Sequence, residues 1–226
     1  LKKVKTTKSY KVMTFGVNRG QFKPECLEWN DDACASFQIG RTKFSLNVPG
    51  IHSLYNAMAA ITVASLVKVP KTSIAKSLKA HKGSALRMEI RKISGLTIAA
   101  DCYNANPAST ESALITIGKM ASSGRKIAVL GDMLELGELS AVMHKKIGYC
   151  LSELGFDALF TLGDMSKNIQ AGARAKGFTN THHFSNIKDL QIAIQDYTSN
   201  GDIVLFKASR GMKLDIIANA MSGVEV

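Results

Sequence analysis

From about residue 83 onward, five short apolar runs recur: "LTIAAD", "KIAVLGD", "DALFTLGD", "THHF" and "DIVLFKAS". Each has the length of a strand, and their near-continuous apolar character suits strands buried on both faces of a sheet. Amphipathic stretches of helical period separate them. The clearest spans 139–154, where Leu139, Val142, Met143, Ile147, Cys150, Leu151 and Leu154 are spaced to share one face. Strand and helix alternating in this way leave few options, because parallel strands need crossovers and crossovers place helices on the sheet faces. The pattern predicts an α/β domain over 83–226: a Rossmann-like, mostly parallel sheet with flanking helices.

Residues 1–82 lack that alternation. "YKVMTFGV" and "ASFQIGRTKFSLNV" read as short strands, broken at Gly16, Gly20, Pro24 and Gly40. "HSLYNAMAAITVASLVKV" then reads as a long apolar helix, with Leu54, Ala57, Met58, Ile61, Ala64 and Ser65 at helical spacing. Pro70 ends it, and "KTSIAKSLKAH" forms a further short helix. So few elements are thin for a self-sufficient domain, and the region reads as the tail of a larger one.

Twenty-nine Lys and Arg against 18 Asp and Glu leave a formal charge of +11. The leader "LKKVKTTKSYK" could hold a polyanion, yet no aromatics are interleaved as base-stacking platforms, so nucleic acid is not the expected partner. A solvated basic face, or a site for small anionic substrates, accounts for the charge. No apolar run approaches the roughly 18–20 residues that a membrane span requires, and no signal-type apolar core follows the basic start. Cys26, Cys34, Cys102 and Cys150 are scattered without CxxC spacing, as expected of reduced thiols in a cytoplasmic protein. The chain contains no GxxxxGK[ST] loop, no GxGxxG fingerprint, no GxSxG turn and no metal-ligand cluster. His182-His183 reads as a loop or strand-edge pair, and His144 as a packing or surface residue on a helix.

The polar residues fall where the strands end. Asp101 closes the first strand, Gly131-Asp132 the second and Gly163-Asp164 the third, while Lys207, Ser209 and Arg210 follow the last. In open parallel sheets, ligands bind beyond the carboxyl ends of the strands. Asp164 alone reads as a turn residue. Asn106-Pro107 suits an N-cap and first helical position, with Ala113, Leu114, Ile117 and Met120 as the buried stripe behind it. Whether Asn106 is only a cap stays open. Capping does not account for Asp101, Tyr103 and Asn104; a carboxylate there can accept hydrogen bonds from ribose hydroxyls, and the helix N-terminus beyond it favours anions.

Taken in order, "NVPGIHSLYNAMAAITVA", "RMEI", "ADCYNANPAST", "AVLGDMLELGELS" and "LFKASRGMKLD" resemble the Mur ligases across nearly the whole chain. "YNANP" and "LGDMLELGE" are the more specific strings. The resemblance implies that 1–82 is the C-terminal part of a central ATP-binding domain and 83–226 a C-terminal Rossmann-like ligase domain. The family's phosphate-loop lysine, magnesium-binding acid and modified lysine would lie upstream. It implies an ATP-dependent amide ligase of peptidoglycan precursor synthesis, working through an acyl phosphate. UDP-N-acetylmuramoyl-tripeptide and D-Ala-D-Ala would be its substrates, ATP and Mg2+ its cofactors, and a monomer its expected state. His52, Asn56, Arg87 and Asp101 would face the nucleotide. Tyr103, Asn104, Asn106, Asp132, Glu135, Lys207, Ser209 and Arg210 would face the other substrates. No residue of this chain is marked as catalytic or as a metal ligand, and the chain alone is expected to be inactive. It departs from the family pattern at Ser53, Ala100 and Ala208, which replace an asparagine, an acid and a glycine. Two other readings stay open: another Mur-type or folylpolyglutamate-type amide ligase, and a non-catalytic nucleotide-binding scaffold.

Overall fold

The structure is a computed structural model and describes residues 12–223. The basic leader, including the start of "YKVMTFGV", lies outside those residues. The chain divides into two compact units with the boundary between Lys82 and Gly83, Asp31–Ala33 being grouped with the second.

The first unit holds an antiparallel sheet, β1 (Glu25–Trp29), β2 (Ala35–Ile39) and β3 (Thr42–Ser45), followed by helices α1 (Ile51–Leu66) and α2 (Lys71–Ala80). Along β2, Ala35, Phe37 and Ile39 are buried while Ser36 and Gln38 are not, the period-2 signature of a sheet with one wet face. Phe37 pairs with Phe44 across the hairpin, and their rings stack with centroids 5.4 Å apart. Leu54, Met58 and Ile61 of α1 and Ile74 of α2 close this core. Two expectations need adjusting. Within 12–17 the "YKVMTFGV" segment makes only an isolated bridge, Phe15 to Phe22, where Gly16 and Gly20 turn the chain. The third strand is instead "ECLEW", whose polar composition hid it.

The second unit is a six-stranded sheet in the order β4-β5-β9-β6-β7-β8. Its strands are β4 (Glu89–Ile93), β5 (Leu96–Asp101), β6 (Lys126–Gly131), β7 (Ala158–Leu162), β8 (Thr181–Phe184) and β9 (Ile203–Lys207). Helices α3 (Pro107–Lys119), α4 (Ser140–Leu151), α5 (Lys167–Ala175), α6 (Ile187–Tyr197) and α7 (Leu214–Met221) connect or follow them. All neighbours pair in parallel except β4, which runs antiparallel to β5. Alternate strand residues feed two cores. Ala99, Leu130, Leu159 and Leu205 pack with α3, α4 and α5, while Ile98, Val129, Phe160 and Phe206 pack with α6 and α7. Each buried phenylalanine contributes on the order of 1.5–3 kcal/mol.

The stripe on α4 is rotated from the one its spacing suggests. Leu139 and Val142 are exposed, and His144, Ile147, Gly148 and Leu151 face inward. Close packing explains this. A Cβ on Gly148 would stand 2.0 Å from the carbonyl oxygen of Ile169, and one on Gly172 would stand 2.2 Å from that of Lys145. Helices α4 and α5 meet backbone to backbone, so glycine marks the contact.

The insertion of β9 between β5 and β6 creates the geometry that matters. The chain leaves β5 into α3 on one face and leaves β9 for α7 on the other. The loops part there, opening the crevice in which such sheets take their ligands.

Candidate nucleotide and substrate site

At that parting, Asp101 and Lys207 are register partners at the ends of adjacent strands. The Lys207 ammonium sits 2.8 Å from Asp101 Oδ2, with 1% of its side chain exposed against 17% for Asp101. It also donates to the carbonyl oxygens of Asn104 at 3.0 Å and Asp101 at 3.5 Å. Three N–H groups thus meet three oxygens, so no donor of this buried ammonium is left unsatisfied.

The other Asp101 oxygen, Oδ1, accepts the backbone N–H of Met88 at 3.2 Å. The segment 86–88 is strained: Leu86 and Met88 have φ of 57° and 50°, a left-handed conformation rare for bulky side chains. Two carboxylates hold it. Asp101 takes the Met88 amide, and Glu89 Oε2 takes the Leu86 amide at 3.0 Å. Glu89 is itself gripped by Arg91 at 2.9 and 3.1 Å, and that hydrogen bonding keeps its carboxyl below the usual range. Tyr103 donates its N–H to the Leu86 carbonyl at 3.1 Å, and the exposed Arg87 guanidinium stacks 4.0 Å above the Tyr103 ring. "RME" and "ADCY" are therefore laced together on one rim.

Next on the loop, exposed Asn104 turns its Oδ1 to the Ala105 amide at 2.8 Å. Asn106 caps α3, accepting the Ser109 N–H at 2.9 Å while Ser109 Oγ accepts the Asn106 N–H, with Pro107 at the first helical position. Its side-chain oxygen is occupied by the cap. Between Asp101 and Tyr103, Cys102 is buried and donates to the Phe206 carbonyl at 3.3 Å. Burial pushes its thiol up to about 12, so it is no nucleophile.

The second signature loop follows β6. Asp132 is buried, accepting the Ser166 N–H at 2.7 Å through its carboxylate and the Ser209 N–H at 3.1 Å through its carbonyl. Gly163, at φ +106°, lies so close that a Cβ there would stand 2.6 Å from this carboxylate. Asp132 thus ties together the loops after β6, β7 and β9. Ser209 continues the tie, accepting the Leu134 N–H at 2.9 Å and reaching the Ala105 carbonyl at 3.4 Å. Glu135 is exposed at φ 64°, and Arg210 pairs with Asp215 at 3.0 Å. Asp164 is exposed and pairs with Lys167.

The geometry brings together Arg87, Asp101, Tyr103, Asn104 and Lys207, and joins Asp132 to Ser209. His52 and Asn56 belong to the first unit, one helical turn apart on one face of α1. Ser53 Oγ donates to the Pro49 carbonyl at 2.8 Å, closing the start of that helix. Sequence reasoning missed Glu89, although an acid two residues before an arginine on one strand face was a usable signal. His144, read from sequence as a packing or surface residue, is buried and accepts the Met133 amide. Among the described residues, no group of three or more His, Cys, Asp and Glu side chains could hold a metal ion.

Residues 86–210 match the family described as "Mur ligase, glutamate ligase domain". The chain is 40% identical over 177 residues to the UDP-N-acetylmuramoyl-tripeptide--D-alanyl-D-alanine ligase of Bacillus subtilis, covering 77% of this chain and 38% of that protein. In fold it is similar to MurF from Acinetobacter baumannii, with a TM-score of 0.83 at 25% identity over 96% of this chain and 48% of that one. It is likewise similar to the MurF ligase from Thermotoga maritima in complex with ADP, with a TM-score of 0.75 at 22% identity over 93% of this chain and 48% of that one. The chain spans less than half the length of each.

Proposed function

The chain belongs to the Mur ligase family, and from that premise we propose that it forms part of an ATP-dependent ligase joining D-Ala-D-Ala to UDP-N-acetylmuramoyl-tripeptide. Residues 1–82 are then the C-terminal part of the central ATP-binding domain, and 83–226 the C-terminal Rossmann-like ligase domain. The observation that most supports the reading is the convergence of the two signature loops. "YNANP" and "LGDMLELGE" share one rim of the sheet, tied by Lys207 and Ser209.

The reaction must turn an unreactive carboxylate into an electrophile. Phosphoryl transfer from ATP to the carboxylate gives an acyl phosphate and releases ADP; the free amine of D-Ala-D-Ala attacks its carbonyl carbon, inorganic phosphate leaves with the bonding electrons, and the amine nitrogen gives up a proton to water. Such chemistry asks a protein for positioning and charge neutralisation. The Arg87 guanidinium, exposed on the rim, offers charge to the phosphates. Asp101 keeps lone pairs for ribose hydroxyls while Lys207 and Met88 fix its orientation. His52 and Asn56, on α1 of the first unit, are read as nucleotide-facing from the family pattern alone. Tyr103, Asn104 and Glu135 are exposed and face the amine, with Asn106 and Arg210 at the margin. Asp132, Lys207 and Ser209 hold the loops that carry them. Among the described residues, no group of side chains fits a Mg2+ ion. The charge of +11 suits polyanionic substrates, and a cytoplasmic monomer whose cysteines form no disulfide agrees with this reading.

The test supplies the full-length protein with ATP, UDP-N-acetylmuramoyl-tripeptide and a panel of amines, following phosphate release and product mass. Coupling that depends on D-Ala-D-Ala is expected. Preference for a single amino acid would favour a different Mur-type or folylpolyglutamate-type ligase, and no coupling at all would favour a scaffold. The 226-residue chain alone is expected to couple nothing.

A further inference from the structure

His144 lies 0% exposed in the first turns of α4, and neither of its ring nitrogens is idle. Nε2 is 2.9 Å from the backbone nitrogen of Met133, and Nδ1 is 2.7 Å from the carbonyl oxygen of Ser140. A backbone N–H only donates and a carbonyl only accepts. The ring therefore satisfies both only when it is neutral and carries its proton on Nδ1. An imidazolium has no lone pair for Met133, and the other tautomer faces both partners the wrong way.

Met133 and Ser140 are the two ends of the second signature loop. One imidazole thus closes residues 133–140, which include the left-handed Glu135 and Gly137, at φ 64° and 55°. Ser209 holds the same loop at Leu134, and Thr110 Oγ touches Met133 Sδ at 3.5 Å. An apolar residue in place of His144 would leave the buried Met133 amide without this acceptor, so packing alone does not account for a histidine here.

We propose that His144 is a positioning residue: as a neutral Nδ1–H imidazole it sets the conformation of residues 133–140, and through them the place of Glu135 beside the incoming amine. The Glu135 half rests on the ligase reading above; the clamp itself does not.

Two uncharged variants of the full-length protein separate the Nε2 contact with Met133 from the Nδ1 contacts with Ser140, whose hydroxyl oxygen also lies 3.3 Å from Nδ1. His144→Gln puts an oxygen near the position of Nε2 and keeps the acceptor for Met133, whereas His144→Asn keeps a donor for Ser140 and withdraws that acceptor. His144→Asn is expected to raise KM for D-Ala-D-Ala about tenfold, the worth of roughly one hydrogen bond, with KM for ATP unchanged, and His144→Gln to return within about threefold of wild type. Nitrogen NMR of the imidazole in the unmutated protein is expected to show the neutral Nδ1–H tautomer at pH 7. An Nε2–H tautomer or an imidazolium would overturn the clamp, whether or not either variant folds. Equal KM values for both variants, or a parallel loss for ATP and the amine, would overturn the positioning of Glu135. If the unmutated protein couples no D-Ala-D-Ala, the ligase reading and the Glu135 half fall together, and the tautomer still decides the clamp.

Discussion

Lys207 shows how far a single residue can be read from sequence. Its place at the end of "DIVLFKAS" marks it as a polar strand end. Its burial is not visible there, because its partners at Asp101 and Asn104 are more than a hundred positions away. Removing the ammonium strands a carboxylate that is itself largely buried. Lys207→Met is therefore expected to destabilise the second unit by about 3 kcal/mol, the lower end for breaking a buried pair because Asp101 keeps some exposure; a urea unfolding midpoint measures it. Titration follows the same local logic. Hydrogen bonding from Arg91 lowers Glu89; burial raises Asp202, but bonds from the Arg125 side chain and the Arg125 and Ser199 amides outweigh it, and the net shift is downward. Carboxyls depressed in the folded state stabilise it fully above their unfolded values, near 4, and that contribution is lost as pH falls through the folded values. Urea midpoints are expected to hold steady above about pH 5 and to fall below about pH 4. Asp202→Asn should flatten the fall while lowering the plateau. Cys102 behaves oppositely: raised to about 12, it stays a thiol at pH 8 and should resist iodoacetamide until the protein unfolds, while exposed Cys26 reacts.

Among the elements, legibility follows burial. The runs in β5, β6, β7 and β9 announced themselves because both their faces are covered, leaving little room for polar residues. The edge strand β4 did not: "EIRKI" carries three charges, as an edge exposed to water allows, and Glu89 and Arg91 serve each other across its face. Helix α4 was found with its buried face misjudged, because hydrophobicity gives no credit to a glycine that admits a neighbouring backbone. Gly148→Ala tests that explanation. The added methyl meets the Ile169 carbonyl and the Ala173 amide, and about 3 kcal/mol of destabilisation is expected, the upper range for overpacking. Gly155→Ala, with nothing within 4 Å but φ of +69°, is expected to cost about 1 kcal/mol or somewhat more, from backbone strain alone.

For the whole molecule, the sheet order does what no single motif does. Placing β9 between β5 and β6 lays Lys207 beside Asp101, and Asp101 in turn anchors the strained 86–88 segment that carries Arg87. Sequence reasoning reached Asp101 and Lys207 through their positions at strand ends and Arg87 through the family resemblance, but the wiring among them depends on contacts across the sheet. The central claim is that this rim binds the nucleotide, and Arg87 tests it most directly because its side chain is exposed and its removal opens no core. The decisive measurement is KM for ATP in the full-length protein bearing Arg87→Ala, with Tyr103→Leu as the control for the lost ring contact. A rise of roughly ten- to a hundredfold in Arg87→Ala, the worth of a hydrogen bond to a charged group, with little change in the control, is the predicted result. An unchanged KM for ATP in Arg87→Ala would contradict the account.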